Sequence, residues 1–150
     1  MLEESVGLAA VTILAILEQA YFCLQVIQAR RKFGVPPPAT SGPAEFQRVF
    51  RAQANSSEYF PIFISALWLS GIFFSQGLSS ACGLLYLGGR LAYFRGYSQS
   101  PEQRLGPLYF SSQVLWLLIG SSGLGVLLAF LRLYLAPGLL GGFGSALGLD

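Results

Sequence analysis

Four apolar stretches separated by short polar breaks dominate the chain: Val6 to Ala29, Tyr59 to Phe74 with a polar lead-in, Leu78 to Tyr97, and Leu105 to Leu135. A helix crosses the bilayer core with about 20 mostly apolar residues, and these stretches approach or exceed that length. The pattern predicts an all-α, integral membrane four-helix bundle of up-down topology, one domain over 1–150 with helices at about 6–33, 45–74, 78–99 and 102–135. Gly34 and Pro36-Pro37-Pro38 end the first helix by removing backbone donors and forcing an extended path. Glu45 suits the first turn of the second helix, where the dipole favours an acid. The link Ser75-Gln76-Gly77 is so short that helices two and three must be antiparallel neighbours. Ser100 before Pro101-Glu102 reads as the cap of the fourth helix. In the tail, 136–150, glycines interrupt the apolar residues, and no chemistry is assigned to it.

Composition strengthens the membrane reading. Of 150 residues, 53% are hydrophobic and only 11% charged, too apolar for an ordinary soluble domain of this size. The net charge of +2 is unevenly spread. Arg30, Arg31, Lys32, Arg48 and Arg51 surround the first loop, Arg95 and Arg104 flank the third, and the second has none. Positive charge collects on the cytoplasmic side, so loops one and three are expected in the cytosol and both termini on the opposite side. The first stretch lacks a basic leader and a small-residue cleavage signal, which predicts a retained helix.

What is missing narrows the chemistry. The chain has no histidine, which removes the commonest general base and zinc ligand, and no metal site is expected. No nucleic-acid partner is expected either. Cys23 and Cys82 fall inside predicted spans and read as buried, unpaired thiols. Asn55-Ser56-Ser57 matches a glycosylation acceptor, but lies in a predicted helix on the cytosolic side.

The polar lead-in to the second span is the strongest chemical signal. Arg48, Arg51, Asn55 and Glu58 repeat at helical spacing on one face. On helix three, Tyr86, Arg90, Tyr93 and Tyr97 follow at i, i+4, i+7 and i+11. Antiparallel packing brings both faces to one depth with Arg104, and Arg30 and Arg31 are within reach from helix one. Arg95 and Lys32 read as anchors to lipid headgroups. Arg48 and Arg90 remain open between ligand contact and structural pairing. A ligand for this set carries more than one carboxylate for the arginines and an ammonium or amide for Glu58 and Asn55. A small zwitterionic peptide with a thiol gains further, because a nearby guanidinium favours the thiolate. Lowering a thiol pKa from about 8.5 to about 6 corresponds to roughly 3 kcal/mol. Glutathione is the natural candidate.

The stretch Arg51-Ala52-Gln53-Ala54-Asn55-Ser56-Ser57-Glu58 resembles the Arg-x-x-x-Asn-x-x-Glu signature of the membrane-associated proteins in eicosanoid and glutathione metabolism. Pro61, Leu67-Trp68, Gly71-Ile72-Phe73-Phe74, Arg90, Tyr93-Phe94, Gly96-Tyr97 and Arg104 extend the likeness over nearly all of 6–131. The resemblance implies a homotrimer in the endoplasmic reticulum and nuclear envelope. Glutathione, as co-substrate rather than prosthetic group, would lie between subunits near the cytosolic face. It casts Arg30, Arg51, Gln53, Asn55, Glu58, Tyr59, Tyr93, Tyr97 and Arg104 as glutathione contacts. Arg104 holds the thiolate, and Arg31 assists opening of an epoxide by electrostatic or water-mediated help.

The implied reaction is conjugation of glutathione to a lipid epoxide, with leukotriene A4 as substrate among the membrane lipids. Trp116 lies 12 positions beyond Arg104, a rise of about 18 Å along a helix. That distance suits an extended acyl chain, with Ala20, Ile27, Tyr59, Leu108, Tyr109, Leu115 and Trp116 as its lining. The ordinary alternative for Trp116 is an interfacial or packing role. Glu18 stands where the resemblance leads one to expect an apolar residue, and an acid this deep in a span needs a partner or water. Two other functions fit the same fold. One is a broad-specificity microsomal glutathione transferase or peroxidase; the other is a non-catalytic lipid-binding partner of a lipoxygenase, for which Arg104 has no clear use.

Overall fold

The computed structural model describes residues 2–135. Four helices follow in order: α1 (Leu2–Phe33), α2 (Ala44–Phe73), α3 (Gln76–Gln99) and α4 (Leu105–Phe130). A single 3-10 turn, Glu102–Arg104, leads into α4, and a π-helical turn, Leu131–Leu135, continues it. The described residues form no strand. The glycine-rich tail lies outside the described residues. α2 and α3 pair as an antiparallel hairpin against which both α1 and α4 pack, while among the described residues the α1 and α4 backbones do not come within 8 Å of each other, Cα to Cα, and meet only through the shared core.

Local chemistry sets the helix ends. α1 starts at Leu2, ahead of the expected position, with Glu3 and Glu4 in its first turn and Arg30, Arg31 and Lys32 in its last, both complementing the helix dipole. Gly34 takes the left-handed conformation, φ 66°, that lets the Val35 amide turn back to the Arg30 carbonyl at 3.0 Å. Val35 is then buried with Ala29 and Phe46. Ser75 caps α3, its side chain accepting from the Leu78 amide at 3.3 Å. Ser100 differs from expectation. Its hydroxyl donates to the Glu102 carboxylate at 2.9 Å and caps nothing, because a 3-10 turn intervenes before α4.

The inward faces are mostly apolar. Leu8, Val11 and Ala15 of α1 meet Phe63, Ala66 and Leu67 of α2, Cys82, Tyr86 and Leu87 of α3, and Val114, Leu115 and Leu118 of α4. A second cluster joins Phe22, Ala52, Tyr93 and Phe94, with the Phe22 and Phe94 rings stacked at 4.3 Å. Hydroxyls pin the helices where no water competes. Ser70 and Ser79 bond at 2.6 Å between α2 and α3, Ser122 of α4 donates to the Ala66 carbonyl at 2.8 Å, and Trp68 donates to Thr12 at 2.9 Å.

The outer surface is unlike that of a soluble bundle. Leucines, isoleucines and aromatic rings are exposed along every helix. α1 and the Glu102–Leu135 segment are long and apolar enough to cross a membrane. α2 and α3 carry more polar side chains, which lowers their hydropathy.

Candidate functional site

Near the start of α2 and the end of α3 the bundle opens into a cavity of about 380 Å³ lined by Arg51, Asn55, Glu58, Tyr59, Tyr93, Tyr97, Arg104 and Leu108. α2 contributes the first four at i, i+4, i+7 and i+8, so helical register alone puts them on one side. α3 adds Tyr93 and Tyr97 by the same rule. Arg104 arrives by a different route, on the 3-10 turn. That turn lies hard against α3, since a Cβ on Gly96 would sit 2.7 Å from the Gln103 carbonyl oxygen. The end of the hairpin is tied by Arg48 Nε donating to the Ser98 carbonyl at 3.5 Å.

Within the cavity, the Asn55 amide donates to the Tyr93 hydroxyl at 2.7 Å. The Tyr93 and Tyr97 rings stack with centroids 5.8 Å apart, and the Arg104 guanidinium carbon lies 5.0 Å from the Tyr97 ring centre. Arg51 and Glu58 are exposed at the opening and make no side-chain hydrogen bond or ion pair at contact distance with another described residue. Two guanidinium groups, a carboxylate, an amide and three phenols therefore surround one volume. Guanidinium forks suit carboxylates, the carboxylate suits an ammonium, and a guanidinium held on an aromatic face can stabilise a thiolate.

Other residues singled out by the sequence lie elsewhere in the chain. Arg30 donates to the Ala39 carbonyl at 2.6 Å and stacks over Phe46 and Phe50, which holds it at the first loop. Arg31 is exposed beside it. Gln53 points away from the cavity and donates to the Cys23 sulfur at 3.6 Å. Cys23 is exposed on α1, unlike the buried Cys82. Ala20, Ile27 and Tyr109 are exposed, and Trp116 is 69% exposed, so its ring projects outward from α4. Leu115 sits in the buried core. Arg90, grouped with the cavity by spacing, lies behind its wall, in contact with the Tyr59 and Tyr93 rings. Among the described residues no cluster of Cys, Asp and Glu forms a metal-ligand set.

Known proteins resemble this chain over most of its length. A MAPEG family model matches residues 8–124. The chain is 59% identical over 131 residues to leukotriene C4 synthase of Rattus norvegicus, covering 87% of each chain. It is 55% identical over 141 residues to leukotriene C4 synthase of Bos taurus, covering 94% of each. Microsomal glutathione S-transferase 2 of Homo sapiens is 46% identical over 135 residues, which is 90% of this chain and 92% of that protein. With four helices, an apolar exterior and a family match spanning most of its length, this chain belongs to the MAPEG family of membrane helical bundles.

Proposed function

We propose that this chain is a membrane glutathione S-transferase that conjugates glutathione to a lipid epoxide, converting leukotriene A4 to leukotriene C4. The observation that carries the reading is the convergence of Arg51, Asn55, Glu58, Tyr97 and Arg104 on one cavity. The likeness to leukotriene C4 synthases supports it. Arg51 takes a carboxylate of the peptide, Glu58 its ammonium, and Asn55, Tyr59, Tyr93 and Tyr97 its polar groups. Arg104, held over the Tyr97 ring, stabilises the thiolate once the thiol proton has passed to water. The sulfur then attacks an epoxide carbon, the carbon–oxygen bond breaks, and the ring oxygen takes a proton from water in the field of Arg31. An arginine is too weak an acid to be the direct donor.

A homotrimer supplies what one copy lacks. Arg30, Arg31 and Gln53 lie outside the cavity of their own chain. In this reading a neighbouring copy carries its own set to glutathione and to the epoxide oxygen. The exposed Ala20, Ile27, Tyr59, Tyr109 and Trp116, with Leu108 and with Leu115 behind them, form the lipid channel between copies. The basic first and third loops support a site on the cytosolic face of the endoplasmic reticulum or nuclear envelope, where soluble glutathione is present.

Likeness to microsomal glutathione S-transferase 2 favours a second, broader reading. Comparable turnover of small aromatic halides or lipid hydroperoxides would select it. The thiolate step is tested by the ultraviolet absorbance of glutathione added to detergent-purified protein. A thiolate band in the parent that disappears in Arg104→Ala is expected; an unchanged band removes Arg104 from the step.

A further inference from the structure

Two ionisable side chains lie in the middle of the bundle, away from either loop. The buried positions of α1 run Leu8, Val11, Ala15, Phe22, Val26 and Ala29, and Glu18 occupies the inward step between Ala15 and Phe22. It is half-buried and lines a cleft against α3 with Leu87, Gly88, Leu91 and Arg95. On α3, Arg90 is 1% exposed and lies outside that cleft. Its Nε donates to the Tyr86 hydroxyl at 3.1 Å, and its Nη1 and Nη2 are buried without a hydrogen-bond partner. The guanidinium carbon lies 4.7 Å from the Tyr59 ring centre, 5.1 Å from that of Tyr93 and 5.5 Å from that of Tyr86.

A cation enclosed by a membrane bundle is costly without an opposite charge, and such a residue is retained where it has a task. Aromatic faces compensate only part of the charge. Arg90 does not line the cavity, yet two of the three rings it touches do. One of these, Tyr93, also receives the Asn55 hydrogen bond. The cation therefore sits on the cavity-wall rings without reaching the ligand.

We propose that Arg90 is a positioning residue that clamps Tyr59 and Tyr93 so that the wall of the cavity is preformed for the peptide substrate. This rests on the glutathione reading given above. Arg90 acts through the rings, so it tunes recognition of glutathione and leaves the lipid end untouched. The guanidinium is required, because a lysine ammonium keeps the charge but is a compact point charge without the extended planar surface that reaches several rings at once.

The test uses the protein in detergent and measures the KM of each substrate for the parent, Arg90→Lys, Arg90→Gln and Tyr93→Leu. Arg90→Lys is expected to raise the glutathione KM about tenfold while the epoxide KM stays within about twofold. Arg90→Gln, a neutral and smaller replacement, moves the glutathione KM the same way, and serves if Arg90→Lys does not fold. In a Tyr93→Leu background, which removes the ring itself, the effect of Arg90→Lys shrinks to below about threefold, because both changes act on one contact. Variants with the parent's glutathione KM, or with both KM values rising in parallel, would overturn the positioning role. A parent enzyme that fails to saturate with glutathione overturns the transferase reading itself, and this inference with it.

Discussion

Asn55 on α2 donates to the hydroxyl of Tyr93 on α3 at 2.7 Å, a direct bond between two helices at the wall of the cavity. The phenol that receives it is 1% exposed, so the bond is shielded from water and orients the amide oxygen and the remaining amide hydrogen. Tyr93→Phe and Asn55→Ala should each raise the glutathione KM about fivefold, the loss of roughly one hydrogen bond. The double variant should be little worse than either single one, and steady-state kinetics on the three proteins checks this. Additive losses would mean that the two residues act separately.

Gly96 controls where Arg104 sits. A methyl group there would meet backbone, the Gln103 carbonyl, at 2.7 Å, and backbone cannot swing aside as a side chain can. Gly96→Ala should push the 3-10 turn from α3 and weaken the thiolate absorbance about tenfold at fixed glutathione. Gly77→Ala is the control, because a Cβ at that position meets open space. Equal absorbance in both variants would show that the close approach is irrelevant to the cation.

Trp116 offers a test of the lipid end. Its ring projects from α4, away from the core of its own chain. If it caps the acyl tail between copies, Trp116→Ala should raise the KM for leukotriene A4 about fivefold and leave the glutathione KM unchanged. Epoxides with shortened tails should lose this sensitivity. A loss independent of tail length would assign the ring to packing between subunits.

The Ser70–Ser79 pair lies at the opposite end of the hairpin from the cavity, with both hydroxyls shielded. Ser79→Ala removes one interhelical bond and should cost about 0.6–1.7 kcal/mol of bundle stability, read from unfolding in denaturing detergent. The KM for glutathione should not move. A change in KM without a change in stability would contradict the separation of the two regions.

Much of this molecule was legible in the order of its residues. Apolar runs with polar breaks determine helices, because a chain in lipid must satisfy its own backbone. Helical spacing placed Arg51, Asn55 and Glu58 on one face, and Tyr93 and Tyr97 on another, before any contact was known. Periodicity within a helix is a local property, fixed by backbone geometry.

Contacts between helices are not local, and there the structure decided. Arg90 shares the spacing of Tyr93 and Tyr97 but packs behind the wall, because helix rotation places its guanidinium against Tyr59 and Tyr86. Glu18 had no visible partner in the sequence, since only the packing of α1 on α3 sets it in one cleft with Arg95, far along the chain. Ser100 had the right identity for a cap, but the close fit of the 3-10 turn against Gly96 gave its hydroxyl to Glu102 instead. Helix identity follows from each segment's own hydropathy and hydrogen bonding; which charge meets which ring depends on how the helices are rotated and paired, a property of the packed bundle.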